Sequence, residues 1–196
     1  MSAAEHLIIR GGVGVCGVNA IAHEAGVDKV LIYRYFGGAA ELISAVIGAH
    51  GAWPRPSETA PASGSSAGMS AGISAGTALA TALVCQSRDI RARPLARRAL
   101  SWEAAGQSSP NVADAIGRET TVAGAADALR SCHALPAHLD LEAVTALLAA
   151  GLTFLAIRAD AQQPFFGIDT SNDAHWHRVE RAATMMLRTL LDPSDA

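Results

Sequence analysis

Few residues in this chain have the types and spacing that catalysis or metal binding needs. Cys132 and His133 with His138 form one candidate set, and His175 with His177 another. Structural zinc takes four such ligands, and no second cluster at that spacing accompanies either set. His175 and His177 also stand two apart, which on a helix sends them to different faces. Neither a P-loop nor H-E-x-x-H occurs. No catalytic residue, metal or cofactor is therefore expected. The densest charge is Arg88, Arg91, Arg93, Arg97 and Arg98, with Glu103 just beyond. A solvated face or a salt-bridged hinge is the expectation there, ahead of a nucleic-acid site. Pro94 should interrupt or restart the helix that carries these arginines.

The elements that position these residues follow from composition and punctuation. Half of the 196 residues are apolar, so the chain has enough apolar surface to build an interior. The greasiest run, 141 to 157, is broken by Glu142, Thr145, Gly151 and Thr153, which argues against a membrane span. Residues 1 to 9 contain Glu5 and His6 and do not read as a signal peptide. Three scattered cysteines, Cys16, Cys85 and Cys132, do not make a disulfide framework. A cytoplasmic protein without membrane contact is the expectation. A net charge of −3 gives no global sign of nucleic acid, so any DNA contact has to be local.

Segments between breaks are rich in Ala, Leu, Arg and Glu and lack alternating β-branched runs, which predicts an all-α fold. Helices are expected near 3–10, 18–25, 29–36 and 39–50, then 66–86, 88–105, 110–131, 139–159 and 173–191. The clearest break is Trp53-Pro54-Arg55-Pro56 with the Ser/Pro/Ala stretch to Ser63. Gly64, Gly68, Gly72 and Gly76 recur every four residues on one helical face. Each costs a helix roughly 1 kcal/mol against Ala. A thin face for close packing, a soft ligand-ordered helix, and compositional drift all fit that repeat.

One stretch combines helix signals at fixed offsets, from Val18 to Phe36. Ile21, Ala22 and Ala25 share a face of a short helix. Gly26 follows where the helix needs a left-handed terminator. Asp28 stands where a second helix needs an N-cap. Ile32, Tyr35 and Phe36 form the expected inward stripe of that second helix, and the small Ala22 lets the two helices cross closely. This is the pattern of a helix-turn-helix. Lys29 and Tyr33 are turned outward by it.

The wording of the motif, Ile21-Ala22-His23-Glu24-Ala25-Gly26-Val27 and then Ile32-Tyr33-Arg34-Tyr35-Phe36, closely resembles the TetR family of bacterial regulators over about residues 4–47. The resemblance implies a DNA-binding domain at 1–50 whose second motif helix enters the major groove. It implies DNA contact from Lys29, Tyr33 and Tyr35, and base reading around Val30, Leu31 and Arg34. Val30 and Leu31 stand where the family has a small residue and then Thr or Ser. Ala39 stands where the family has a phosphate-binding lysine, and the usual basic N-terminal arm is missing. Glu5, Glu24, Asp28 and Glu41 outnumber Arg10, Lys29 and Arg34. A weakened DNA unit on a protein that binds small molecules or other proteins is therefore the second reading.

Residues 51–196 are expected to form a helical regulatory and dimerisation domain. Leu141, Val144, Leu148, Gly151 and Leu155 fall on one stripe, and Val179, Ala183, Met186 and Leu190 on another. A homodimer interface, as the resemblance implies, and an internal core both fit these stripes. Phe165-Phe166-Gly167-Ile168-Asp169 and Trp176 resemble one branch of the family. Met69, Leu83, Trp102, His133 and Phe154 are expected to line a cavity between helices. The resemblance implies a small apolar ligand there, with double-stranded DNA and a second copy of the chain as partners. The expected function is a dimeric ligand-responsive repressor acting on a palindromic operator.

Overall fold

A computed structural model describes residues 1–49, 73–105, 127–133, 135–136, 138–161 and 163–192. Met69, the break at 53–63, and the glycines at 64, 68 and 72 lie outside them, as does most of the expected helix at 110–131. The described residues are helical, apart from turns and one isolated bridge between Phe165 and Ile168. The chain divides into two compact units, one within Met1–Trp53 and Ala92–Gly117, the other within Pro54–Arg91 and Arg118–Ala196.

The first unit holds α1 (Ser2–Gly11), a 3-10 turn (Val13–Val15), α2 (Val18–Ala25), α3 (Lys29–Phe36), α4 (Ala39–Ala49) and α6 (Pro94–Ala104). Its core joins Leu7 and Ile8 of α1 to Ile21, Ala22, Ile32, Leu42, Val46 and Ile47, with Leu95 and Ala99 of α6. Trp102 packs against the same core, and a Cβ on Gly14 would meet its ring at 2.9 Å. Arg98 Nε donates to Ile9 O at 3.1 Å, which satisfies a carbonyl near the end of α1. The boundary expected at residue 50 therefore leaves out α6, whose apolar face packs with the N-terminal helices.

The second unit holds α5 (Ala75–Ala92), helical residues 127–132, α7 (Leu141–Ile157) and α8 (Asp173–Leu191). Leu79, Leu83, Leu129, Leu141, Leu152, Ala183, Leu187 and Leu191 form its core. At Gly76 α5 and α8 approach closely: a Cβ there would sit 2.6 Å from Leu187 O and 2.7 Å from Arg188 Cα. Asp192, just past α8, accepts from the Gly76 N–H at 3.0 Å and from the Ser74 hydroxyl at 2.5 Å, capping the start of α5. At this position the glycine repeat supplies a thin packing face.

The expected break at 86–88 moves to Arg93. Gln86, Ser87 and Arg88 continue α5, with the buried Ser87 hydroxyl donating back to Val84 O. Pro94 cannot donate an N–H and forces the preceding residue out of the helical region. Arg93 is accordingly extended, at φ −110 and ψ 100, and Pro94 opens α6.

Candidate nucleic-acid interface

Gly26 ends α2 at φ 64, ψ 31, the left-handed conformation that glycine takes without strain. The Val27 N–H reaches Ala22 O at 3.0 Å and the Gly26 N–H reaches His23 O at 3.2 Å, a Schellman closure. Two residues later Asp28 Oδ1 accepts from the Val30 N–H at 2.8 Å and starts α3. The turn and cap read from the sequence are both present. Together they fix the direction in which α3 leaves α2.

Helix α3 is held by a narrow strip. Ile32 is its buried residue, and Phe36, one turn later, packs half-buried on the same core. Lys29, Val30, Leu31, Tyr33, Arg34 and Tyr35 are exposed. Two expectations change here. Ala25 is exposed rather than buried with Ile21 and Ala22. Tyr35, placed on the inward stripe, is 71% exposed. At about 100° per residue Tyr35 lies some 60° off the Ile32 direction on one side. Phe36 lies closer and takes the contact.

Electrostatics around α3 are spare. Arg10 is in an ion pair with Glu24 at 3.5 Å. The Arg34 guanidinium lies 5.8 Å from the centre of the Tyr35 ring, a cation–π contact that leaves its N–H groups for other partners. Residues 1–49 carry four carboxylates against three Lys/Arg cations, a balance of −1. Residues 92–105 add Arg93, Arg97 and Arg98 against Glu103, so the described part of the unit reaches +1. Ala39 is half-buried against the core, without a cation at the start of α4. Burial pushes the Cys16 thiol above its ordinary range, which keeps it protonated and inert.

The arginine segment is structural rather than a solvated face. Arg88 forks onto Glu180, Nε to Oε1 at 2.5 Å and Nη2 to Oε2 at 2.6 Å. That contact holds the Glu180 carboxyl below the usual range against the opposing effect of burial. His177 and the Trp176 indole lower it further. Arg91 donates to Thr170 O, Ser171 O and Asp173 Oδ1 and stacks 5.4 Å over Trp176, tying the end of α5 to the start of α8.

The other expected sites are dispersed. Leu83 is in the core of the second unit and Trp102 belongs to the core of the first. His133 is half-buried, Phe154 is exposed, and Met69 lies outside the described residues. Phe154 packs edge-on against Phe165, ring centres 5.1 Å apart, beneath Arg158. Phe165 and Ile168 exchange hydrogen bonds of 2.9 Å around a two-residue turn in which Phe166 and Gly167 both have positive φ. His175 Nδ1 accepts from the Asp169 N–H, while His177 Nδ1 faces Asp173 O, so the two rings serve separate backbone contacts.

Of the stripes expected to pair two copies, Ala183 is core, and Val144, Leu148 and Val179 pack half-buried on that core. Leu155 is half-buried, while Gly151 and Met186 are exposed. The exposed large apolar residues of these helices are Leu147 and Phe154 on α7 and Met185 on α8, beside the expected Met186 and Leu190. α7 is apolar almost all round, so its sequence does not mark which side faces inward.

The glycine repeat also spells G-x-S-x-G at 64–68, 68–72 and 72–76, the pattern of a hydrolase nucleophile elbow. Only Ser74 of these serines lies in the described residues. Its hydroxyl is spent on Asp192 at a helix start, and no strand leads into it among the described residues.

Residues 1–46 match the family model of bacterial regulatory proteins, tetR family. The stretch from α1 into α4 is thus similar to the tetR-family domain. A TetR-like transcriptional regulator from Rhodococcus sp. RHA1 shares the fold at a TM-score of 0.59 and 22% identity, covering 95% of this chain and 92% of that one. No curated protein matches. Among the described residues no single helix is long and apolar enough to cross a membrane.

Proposed function

We propose that this TetR-type protein is a homodimeric repressor that reads a palindromic operator through α3 and releases it on binding a small apolar ligand. The observation that carries the reading is α3 itself. Six of its eight residues are exposed, on a helix whose direction is fixed by the Gly26 turn and the Asp28 cap. A helix so presented after a helix-turn-helix crossing suits a major groove. Lys29, Tyr33 and Tyr35 supply a cation and two hydroxyls for phosphate oxygens, and Arg34 a fork for phosphate or guanine.

Pairing is supported by the apolar residues that α7 and α8 leave outward, Leu147 at 75% exposure foremost. Gly151 lies among them with open space around the position of a Cβ, room for a close helix approach. A symmetric dimer then matches a symmetric site. The expected pocket-lining residues belong to different units and Met69 lies outside the described residues, so the ligand reading rests on the family resemblance.

The second reading, a binding protein with a weakened DNA unit, draws on Ala39 and on the capture of Arg10 by Glu24. A gel mobility shift with DNA upstream of the protein's own gene separates the two. Retardation that a scrambled duplex does not compete away supports the repressor reading; no retardation at low salt supports the second.

A further inference from the structure

We propose that the first turn of α3 selects its DNA by the C5-methyl groups of thymine, through Val30 and Leu31, rather than by hydrogen bonds to base edges. The inference rests on the reading that α3 enters the major groove. Val30 lies about 160° around the helix from the buried Ile32, so it points almost straight away from the core. It is 61% exposed, and the adjoining Leu31 and Val27 are exposed as well. In a docked helix-turn-helix, the N-terminal residues of the second helix meet base edges. Here Lys29 is assigned to phosphate, and Val30 and Leu31 bring aliphatic side chains with no hydrogen-bonding atom. The backbone gives little help, because the Val30 N–H is already spent on Asp28.

Every base edge in the major groove is polar except one feature, the thymine methyl. Guanine, adenine and cytosine set against Val30 or Leu31 would lose water from a donor or acceptor and gain nothing in exchange. Thymine alone offers a surface that benefits from losing water. Val30 also fits by stiffness: a β-branched side chain in a helix keeps essentially one rotamer, so its methyls stand ready-placed. The outward residue of the next turn, Arg34, is the one on this line able to hydrogen-bond. The expected half-site therefore has T·A pairs beneath the first turn, beside a position read by Arg34.

The test is selection of binding sites from a randomised duplex pool by the full-length protein, followed by replacement of thymine with uracil, one position at a time, in the enriched duplex. Uracil removes the methyl and keeps every hydrogen-bonding atom. At the positions under Val30 and Leu31, wild type should lose about fourfold per methyl in each half-site, the worth of one buried methyl-sized group. Val30→Ala and Leu31→Ala, both at exposed positions, should bind the thymine duplex correspondingly less and lose the distinction from uracil. Enriched duplexes that bind equally with uracil at every position overturn the inference and leave DNA binding standing. A uracil penalty that persists in both alanine variants also overturns it, because the effect then comes from the DNA. A pool yielding no enriched site overturns the DNA-binding reading and this inference with it.

Discussion

Removing Arg88 should damage the second unit more than removing its partner Glu180, although the two share one contact. The Glu180 side chain is 7% exposed and that of Arg88 55%. Arg88→Met keeps most of the apolar stem but strands a buried carboxylate. Breaking a buried pair in that way typically costs 3–5 kcal/mol, and the half-exposed arginine argues for the lower side, about 2–3 kcal/mol. Glu180→Gln leaves an arginine that water can reach, so about 1 kcal/mol is expected. The pH dependence should change sign. In the wild type the Glu180 carboxyl is lowered by Arg88, so its contribution is present above the unfolded value near 4.3 and lost as pH falls through the folded value. In Arg88→Met burial outweighs the remaining lowering by His177 and Trp176 and raises it, so stability should increase as pH falls toward the unfolded value near 4.3. Urea unfolding followed by fluorescence reads this directly, since Trp176 is buried beside the pair. Replacing Trp53 and Trp102 with Phe in the background isolates that signal. Equal losses for the two variants, or a pH slope of unchanged sign, would refute the argument.

Other substitutions probe the turn, the close helix contact and the assembly. A Cβ on Gly26 would meet no atom within 4 Å, so the cost expected of Gly26→Val is that of the left-handed backbone. About 1–2 kcal/mol should be lost by the first unit in thermal unfolding, and an unchanged melting temperature would remove that account. Gly76→Ala drives a Cβ into the backbone of α8 and should lower the stability of the second unit by more than Gly151→Ala, whose position is open. Leu147→Arg should turn a dimer into a monomer in light scattering while leaving circular dichroism unchanged, because the residue is outward. Retention of the dimer mass would take α7 out of the interface.

The helix-turn-helix was legible because its signals are local. Gly26, Asp28, Ile32 and Phe36 each act through their own turn of backbone, and the structure places all four as read. Tyr35 was misplaced because a helix held by one buried residue leaves both flanks ambiguous. The second unit was harder for a different reason. In α7 nearly every residue is apolar, so the stripe through Val144, Leu148, Gly151 and Leu155 and its neighbour through Leu147 and Phe154 look alike in sequence. The arginine segment was also opaque, since its partners Glu180 and Asp173 lie about ninety and eighty residues away. The break at Pro94 was read correctly as chemistry, and only its register against Gln86 to Arg88 was not.

Whether α3 holds DNA is read from binding measured across a salt series. The duplexes are the site selected from the random pool and a scrambled control, with wild type, Lys29→Ala and Ala39→Lys compared. Wild type should bind both duplexes at low salt and prefer the selected one. Lys29→Ala should weaken both about equally and flatten the logarithmic salt slope by roughly 1 per subunit. Ala39→Lys should steepen it by about as much, its stem lying along the half-buried edge of the core. Wild type that binds neither duplex at low salt, with no rescue by Ala39→Lys, would contradict the claim.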